Sequence, residues 1–303
     1  YETLSKIRSD IIIVTLTGDR HGKPQVDYTV NPALGIPDIT GHEGSVDPVA
    51  NAIPAWDMIA GNMCVSSLLA AERYRLRHGV GQDVEIALKD VASAAIGHLG
   101  MIADTTLNTD DRTKAGNSLY GAYGKDFLCA DGNRVMLIGL TSRQWAGIVK
   151  ATDTAEQFKQ LEMQNNINLQ DESIRWKWRH AITEIIEPWF KIRKVEEFAS
   201  NFDKIGLTWS VFRSVREALD FDPDLTEDNP LFKKILQPDA GEFLVPKHPA
   251  NFSKVENSDP TAAPILGEHT EEILGDVLNL SDIEVSNLFD NGVVASPSFH
   301  KNK

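Results

Sequence analysis

One segment, residues 54–77, constrains the fold of this chain more than any other. It reads PAWDMIAGNMCVSSLLAAERYRLR, and its apolar residues recur at helical spacing among glycine, alanine and serine. This pattern predicts a single long helix. Because small residues keep a helix slim and let a neighbouring backbone approach, we expect the helix to be buried. Only its Arg-rich end, residues 72–77, should contact water.

Asp57 lies at the start of this predicted helix, in the sequence Pro-Ala-Trp-Asp. Aspartate is a preferred residue at helix starts, because its carboxylate accepts hydrogen bonds from free amides and favours the positive end of the helix dipole. The same position can also present a reactive carboxylate. The helix pattern alone leaves both interpretations open.

The segments around this helix predict a layered α/β domain. Residues 11–16 form a continuous apolar, β-branched run, which is typical of a parallel strand covered on both faces. Residues 83–88 alternate between apolar and polar and predict a second strand, and residues 90–103 predict a further helix. Strand, helix, strand and helix in this order indicate a βαβ-type sheet. The long connection 18–54 has little periodicity apart from a short helix expected within 26–35, and such long loops tend to be functional.

The second half of the chain has a different pattern. A β-hairpin is predicted around a turn at residues 131–133. Amphipathic helices follow, the last of which is expected to begin near Ser214 after a short strand. Residues 222–263 are rich in proline and aspartate and are only sparsely periodic. Near the end, Ser281 and Glu284 have the spacing of a capping box and predict a helix start.

Charge and composition argue against several classes of protein. The formal net charge of −14 disfavours nucleic acid or an anionic membrane as the main partner, and a polyanionic ligand would need a local basic pocket. No apolar run reaches the roughly 18 residues that span a bilayer. Cys64 and Cys129 lack metal-ligand spacing, so we expect core thiols in a reducing, cytoplasmic environment. P-loop, GxGxxG, HExxH, GxSxG and CxxC patterns are absent, and His98 and His269 are interpreted as structural.

Three separated motifs follow the order and spacing found in the family III CoA-transferases. The first is the helix led by Asp57, with its basic tail and the G-x-G-Q turn at residues 79–82. The second is GNSLYGAYGKDF at residues 116–127, followed by RQW at 143–145. The third is LGEHTEEILGDVLNLSDIEV at residues 266–285. The chain therefore resembles this family nearly end to end.

The resemblance implies a fold and an assembly. The family fold is α/β, with a Rossmann-like large domain that is interrupted by a smaller α/β domain, and two chains interlock as linked rings in a homodimer. On this basis we assign residues 1–115 and 264–303 to the large domain and residues 116–263 to the small domain with its linkers. In the family, an earlier portion of the large domain supplies the first strands and much of the CoA-binding surface. We expect that portion to precede Tyr1 and to be missing from this chain.

The resemblance also implies a reaction. The most similar members move CoA between the two carboxyl groups of one unsaturated C5 dicarboxylyl-CoA, and their nucleophilic aspartate corresponds to Asp57. A carboxylate can attack a thioester carbonyl to form a mixed anhydride, which the CoA thiolate then opens to an aspartyl-CoA thioester. The acyl-CoA is the substrate, and neither a metal nor a resident cofactor is expected. Burial would remove the hydration of the carboxylate, and the helix N-terminus would favour its charge.

The family motifs imply six further residues that contact substrate. Tyr28 and Asn31 are expected to orient the free carboxylate of the substrate, and backbone amides of the glycine-rich segment are expected to stabilise the oxyanion. The six are Tyr28, Asn31, Gly116, Asn117, Tyr120 and Gly121.

Two alternatives to intramolecular transfer stay open. One is a transferase that moves CoA from an acyl-CoA to a separate carboxylic acid, and the other is a non-catalytic remnant that has lost its CoA-binding surface. A racemase activity is disfavoured, because Asp27 occupies the position at which the racemase branch of the family has a catalytic histidine.

Overall fold

The structure is a computed structural model, and it describes residues 1–295. The chain divides into two compact units, residues 1–212 and residues 213–303. Each unit is described by itself. The predicted division into residues 1–115 with 264–303 and residues 116–263 stays a prediction.

The first part of unit 1 is built around a parallel strand pair. β1 and β2 run parallel, from Ile12 opposite Gln82 to Thr17 opposite Ala87. Helix α4 (Ala55–His78) lies between them in the chain, which makes a strand–helix–strand unit and confirms the predicted βαβ arrangement. The elements in chain order are α1 (Glu2–Ile7), β1 (Ile12–Thr17), α2 (Asp27–Ala33), α3 (Ile36–Ile39), α4 (Ala55–His78), β2 (Gln82–Ala87), α5 (Leu88–His98) and α6 (Met101–Leu107).

Helix α4 confirms the predicted long helix but not its predicted burial. It ends at Gly79, whose φ of 72° is the left-handed conformation that favours glycine after a helix. Its buried residues are Trp56, Ala60 and Ala71, which face α2, α5 and the strand pair. The expectation that this helix is buried up to its Arg-rich end is wrong for this chain, because its larger apolar side chains point away from those elements. The exposed residues before that end are Met58, Ile59, Met63, Val65, Leu68 and Leu69.

Two further expectations for this part of the chain are corrected. Strand β1 has no fully buried residue, and Leu16 is 50% exposed, so the expectation that this strand is covered on both faces is wrong. The helix predicted over residues 90–103 is two helices, α5 and α6. Gly100 separates them, since its φ of 76° cannot continue a right-handed helix.

The second part of unit 1 is an antiparallel sheet packed against helices. β3 pairs with β4 and β4 with β5, which confirms the predicted hairpin and the short strand after it. The core contains Phe127 stacked on Phe190, with ring centroids 4.5 Å apart, and the packed rings of Phe198 and Phe202. The elements are β3 (Tyr123–Leu128), β4 (Arg134–Gly139), α7 (Ser142–Thr152), α8 (Ala155–Asn165), α9 (Glu172–Lys177), α10 (Arg179–Lys191), α11 (Val195–Ile205) and β5 (Thr208–Val211).

Unit 2 contains a hairpin that the sparse periodicity of residues 222–263 did not predict. Strands β6 and β7 pair antiparallel, from Phe232 opposite Pro246 to Gln237 opposite Gly241. The helix starts predicted near Ser214 and at Ser281 are confirmed by their capping boxes. The elements are α12 (Val215–Phe221), a short 3-10 turn (Pro223–Leu225), β6 (Phe232–Gln237), β7 (Gly241–Pro246), α13 (Thr270–Glu272), a π-helical turn (Ile273–Val277) and α14 (Asp282–Asp290).

Both cysteines are free thiols, as predicted. Cys129 is buried and Cys64 is half-buried. Burial, with a smaller contribution from the Asp131 charge, raises the pKa of the Cys129 thiol to about 11. Within residues 1–295, no helix is both long and apolar enough to cross a membrane, and no group of three or more His, Cys, Asp or Glu side chains could hold a metal ion.

Candidate active site

Asp57 lies in the first turn of α4, two residues after the helix begins at Ala55. Its side chain is exposed to solvent in this chain, so the expectation that it is shielded is wrong here. The physical reason is local: α2 packs against the Trp56 side of this turn, whereas the neighbouring Met58 is 65% exposed. The Asp57 carboxylate makes no hydrogen bond or ion pair within residues 1–295.

The backbone beneath Asp57 is held by a buried polar cluster from α2. Asp27, which is 1% exposed, accepts hydrogen bonds through Oδ2 from the amide of Trp56 at 2.7 Å and from the amide of Asp57 at 3.4 Å. Asn31, also 1% exposed, accepts through Oδ1 from the Trp56 ring nitrogen Nε1 at 3.1 Å. The side-chain amide of Asn51 donates to the same oxygen at 3.4 Å. Helix α2 therefore fixes where Asp57 emerges.

The two predicted site residues on α2 have different surroundings. Tyr28 is 58% exposed and is adjacent to Asp27. Asn31 is buried and its side-chain oxygen is occupied by Trp56 and Asn51, so in this structure it positions the start of α4. Its predicted contact with the carboxylate of the substrate stays a prediction.

Residues 40–54 connect Asp57 with the glycine-rich segment at residues 116–121. The amide of Gly116 donates to the carbonyl of Gly41 at 3.0 Å, and the buried Lys114 ammonium donates to the carbonyl of Asp47. At its other end the connection is held by Asn51, which donates to Asn31. The long irregular segment is thus tied at both ends to residues that the sequence assigned to the site.

The glycine-rich segment has two residues in the left-handed conformation, Gly116 with φ 58° and Gly121 with φ 80°. The Gly116 amide is taken by Gly41, so it is not free to stabilise an oxyanion in this arrangement. The backbone amides of Asn117 and Gly121 make no hydrogen bond within residues 1–295. The expected oxyanion role therefore stays a prediction for these two amides.

Tyr120 lies at a cavity of about 490 Å³ that Gly116 and Gly41 also line. The guanidinium of Arg112, another lining residue, stacks 3.7 Å above the Tyr120 ring. The Tyr120 hydroxyl donates to Asp104 Oδ2 at 3.3 Å. Asp57 does not line this cavity, so the candidate residues form two groups joined by residues 40–54.

Comparison with known proteins decides the family. The model of CoA-transferase family III matches residues 1–270. The chain belongs to this family. It is 47% identical to 2-methylfumaryl-CoA isomerase of Chloroflexus aurantiacus over 98% of the chain and 73% of that enzyme. It is 24% identical to succinyl-CoA:glutarate CoA-transferase of Mus musculus over 97% of the chain and 66% of that enzyme.

A solved structure supports the same fold. A CaiB/BaiF family protein from Brucella suis superposes with a TM-score of 0.69 at 20% identity, over 91% of this chain and 70% of that one. The α/β class that the family resemblance implied is confirmed. The family model and the 47% identity to 2-methylfumaryl-CoA isomerase show that the chain is an enzyme of the CoA-transferase family.

Three residues of the site were not predicted to contribute to it. In the sequence, Asp27 stands out only as the residue at the position of the racemase histidine, and Asn51 and Lys114 belong to no motif. One signal was available for Asp27: a proline before the helix has no side-chain acceptor, so the first amides of α4 needed an acceptor from another element. No comparable signal identifies Asn51 or Lys114, because their partners are distant in sequence.

Proposed function

We propose that this CoA-transferase moves CoA between the two carboxyl groups of one unsaturated C5 dicarboxylic acid, converting 2-methylfumaryl-CoA to its isomer. The identity of 47% with an enzyme of that name, over almost the whole chain, carries the proposal. The position of Asp57 in the first turn of α4, with a carboxylate that makes no hydrogen bond within residues 1–295, supports its role as nucleophile.

The proposed reaction exchanges one acyl bond at a time. An oxygen of Asp57 attacks the thioester carbonyl, so that a C–O bond forms, the C–S bond breaks and CoA leaves as a thiolate. The thiolate attacks the aspartyl carbonyl of the mixed anhydride, which gives an aspartyl-CoA thioester and the free dicarboxylate. The other carboxylate of the acid then attacks this thioester, and the released thiolate opens the second anhydride on the substrate side. Asp57 is regenerated, with no net uptake of water or protons and no need for a resident cofactor.

The reaction requires exclusion of water, because water hydrolyses both covalent intermediates. Asp57 is exposed in the single chain, so we propose that a second chain in a homodimer covers it. The amides of Asn117 and Gly121 are proposed as oxyanion donors, and Tyr28 as a contact of the free carboxylate. We propose the cytoplasm as the site of action, as expected for free thiols.

The test is mass spectrometry of the protein after incubation with 2-methylfumaryl-CoA. We expect a CoA adduct on the peptide containing Asp57, no adduct and no turnover in Asp57→Ala, and inactivation by hydroxylamine only when the substrate is present. Asp90→Ala is the matched control, because Asp90 is also an exposed aspartate in the first turn of a helix, α5, and has no proposed role in the reaction. Wild-type turnover by Asp57→Ala would contradict the proposal, and a wild-type protein that forms no adduct would indicate a non-catalytic remnant.

Transfer between two molecules is the second candidate, favoured by the similarity to a succinyl-CoA:glutarate CoA-transferase. Isotopically labelled free 2-methylfumarate separates the two. Label that stays out of the product supports intramolecular transfer, and label that enters the product in proportion to turnover supports transfer between molecules.

A further inference from the structure

The start of α4 is capped by a residue of another helix. A helix leaves its first amides without partners, and a side chain at the N-cap position normally accepts from one of them. In α4 the N-cap residue is Pro54, which has no side-chain acceptor. Asp27 of α2 takes this role instead, because its Oδ2 accepts from the amides of Trp56 and Asp57 at 2.7 and 3.4 Å.

This arrangement removes the local hydrogen-bond partners of Asp57. In a capping box, an acidic side chain three residues after the N-cap accepts from the N-cap amide. Asp57 is at that position, but Pro54 has no N–H to donate. The other amides at this helix start are occupied as well, since those of Trp56 and Asp57 donate to Asp27 and that of Ala55 donates to the carbonyl of Ile53 at 2.9 Å. The same chain shows the contrasting case at α12, where Glu217 accepts from the amide of Ser214 at 2.7 Å.

A second observation points in the same direction. The other carboxylate oxygen of Asp27, Oδ1, is buried and has no hydrogen-bond partner within residues 1–295. A carboxylate with one uncompensated oxygen repels a second carboxylate that turns toward it, and in a buried site this repulsion is weakly screened. An orientation of the Asp57 side chain toward its own helix therefore gains no hydrogen bond and is opposed by repulsion from Asp27.

We propose that Asp27 and Pro54 are positioning residues that keep the Asp57 carboxylate free of protein hydrogen bonds and available for attack. This inference rests on the proposed role of Asp57 as nucleophile. A carboxylate that accepts hydrogen bonds from its own helix would have to break them before its oxygen reached a carbonyl carbon. Loss of the Asp27 carboxylate, or of the proline at position 54, should therefore slow attack by Asp57 without weakening binding of the substrate.

Asp27→Ala tests the role of the Asp27 carboxylate. With the amides of Trp56 and Asp57 released, the Asp57 carboxylate can turn back onto its own helix. We expect the single-turnover rate of adduct formation on Asp57 to fall about 100-fold, as for a reacting group misplaced by ~1 Å, with KM for 2-methylfumaryl-CoA nearly unchanged. Asp27→Asn, which keeps an acceptor oxygen, should recover most of the rate. Amide hydrogen exchange at Trp56 and Asp57 should accelerate in Asp27→Ala.

The matched control is Asp131→Ala. Asp131 caps α11 in the same manner, since its Oδ2 accepts from the amide of Val195 at 2.9 Å, and it lies outside the candidate site. Its loss should lower the melting temperature but leave the rate of adduct formation per folded molecule unchanged. An equal loss of rate in Asp131→Ala and Asp27→Ala would overturn the proposal, because it would mean that any lost cap has this effect.

Pro54→Ala tests the role of the proline, and it provides an independent test if Asp27→Ala does not fold. Alanine supplies an N–H at the N-cap, from which the Asp57 carboxylate can then accept a hydrogen bond. We expect slower adduct formation in a protein that retains Asp27 and melts within a few degrees of wild type. Adduct formation at the wild-type rate in Pro54→Ala, or in folded Asp27→Ala, would overturn the positioning role while leaving Asp57 as nucleophile. If wild type forms no adduct on Asp57, the proposed function fails first and the positioning role fails with it.

Discussion

The ring nitrogen of Trp56, next to the candidate nucleophile on α4, forms a hydrogen bond to helix α2. Its Nε1 donates to Asn31 Oδ1 at 3.1 Å, and both residues are buried. Trp56→Phe keeps most of the apolar ring but leaves the Asn31 oxygen with only the longer bond from Asn51. Because a hydrogen bond contributes about 0.5–1.5 kcal/mol net, we expect the free energy of unfolding to fall by that amount in a denaturant titration.

Trp178→Phe is the control for this prediction. Trp178 packs against the second core of unit 1, and its ring nitrogen makes no hydrogen bond within residues 1–295. Its loss should therefore cost less than that of Trp56. Equal losses of stability in the two variants would show that ring volume, and not the hydrogen bond to Asn31, determines the effect.

At the scale of elements, the hairpin of β6 and β7 is tied to a later segment by one carboxylate. Lys233 of β6 and Lys247, directly after β7, both form ion pairs with Asp259. The distance from Lys247 Nζ to Asp259 Oδ1 is 2.5 Å. Hydrogen bonds from Lys233 and then from Lys247 lower the pKa of Asp259 to about 2, from its ordinary value of 3.8. Because the folded-state pKa of Asp259 is depressed, the two ion pairs contribute their full stabilisation of the fold above about pH 4. This stabilisation is lost as the pH falls toward 2.

The measurement is the carboxyl carbon-13 shift of Asp259 as a function of pH. We expect wild type to titrate near pH 2 and the double variant Lys233→Met, Lys247→Met to titrate close to the ordinary value. Salt should weaken the difference, because the side chains of Lys233 and Asp259 are 48% and 47% exposed. A midpoint near 3.8 in wild type would contradict the prediction.

The elements that sequence predicted correctly have strong local signals. Helix α4 has apolar spacing and a terminal glycine, and α14 has the Ser281–Glu284 capping box. The elements that it missed depend on weaker ones. Strands β6 (FKKILQ) and β7 (GEFLVP) lack a regular apolar–polar alternation and lie in a segment rich in proline and aspartate, and the break between α5 and α6 depends on the conformation of Gly100. The family resemblance identifies Asp57. Pro54 indicates that the start of α4 needs an acceptor from another element, but no local pattern identifies Asp27 or Asn31 as the residues that support it.

At the scale of the molecule, the failed prediction of burial for α4 is informative. Residues 58–71 contain no Asp, Glu, Lys or Arg in a chain whose net charge is −14. Met58, Val65, Leu69 and Leu76 fall on one stripe of the helix, and each is at least 57% exposed. Depletion of charge and a contiguous apolar stripe are typical of the centre of a protein–protein interface. The stripe begins beside Asp57, so a chain seated on it would also cover the proposed nucleophile.

We therefore expect a homodimer that depends on this stripe. Light scattering after size exclusion should give about 67 kDa for wild type, twice the 33.5 kDa of one chain. Leu69→Glu places a charge in the stripe and should yield monomers that retain the wild-type circular dichroism, because a substitution at an exposed site changes stability by only about 0.5 kcal/mol. Met163→Glu is the matched control, since Met163 is 74% exposed on α8 and outside the stripe, and it should remain dimeric. The Leu69→Glu monomer should also lose turnover, because water then reaches Asp57. A wild-type monomer at micromolar concentration with full activity would contradict both the interface and its proposed role in excluding water.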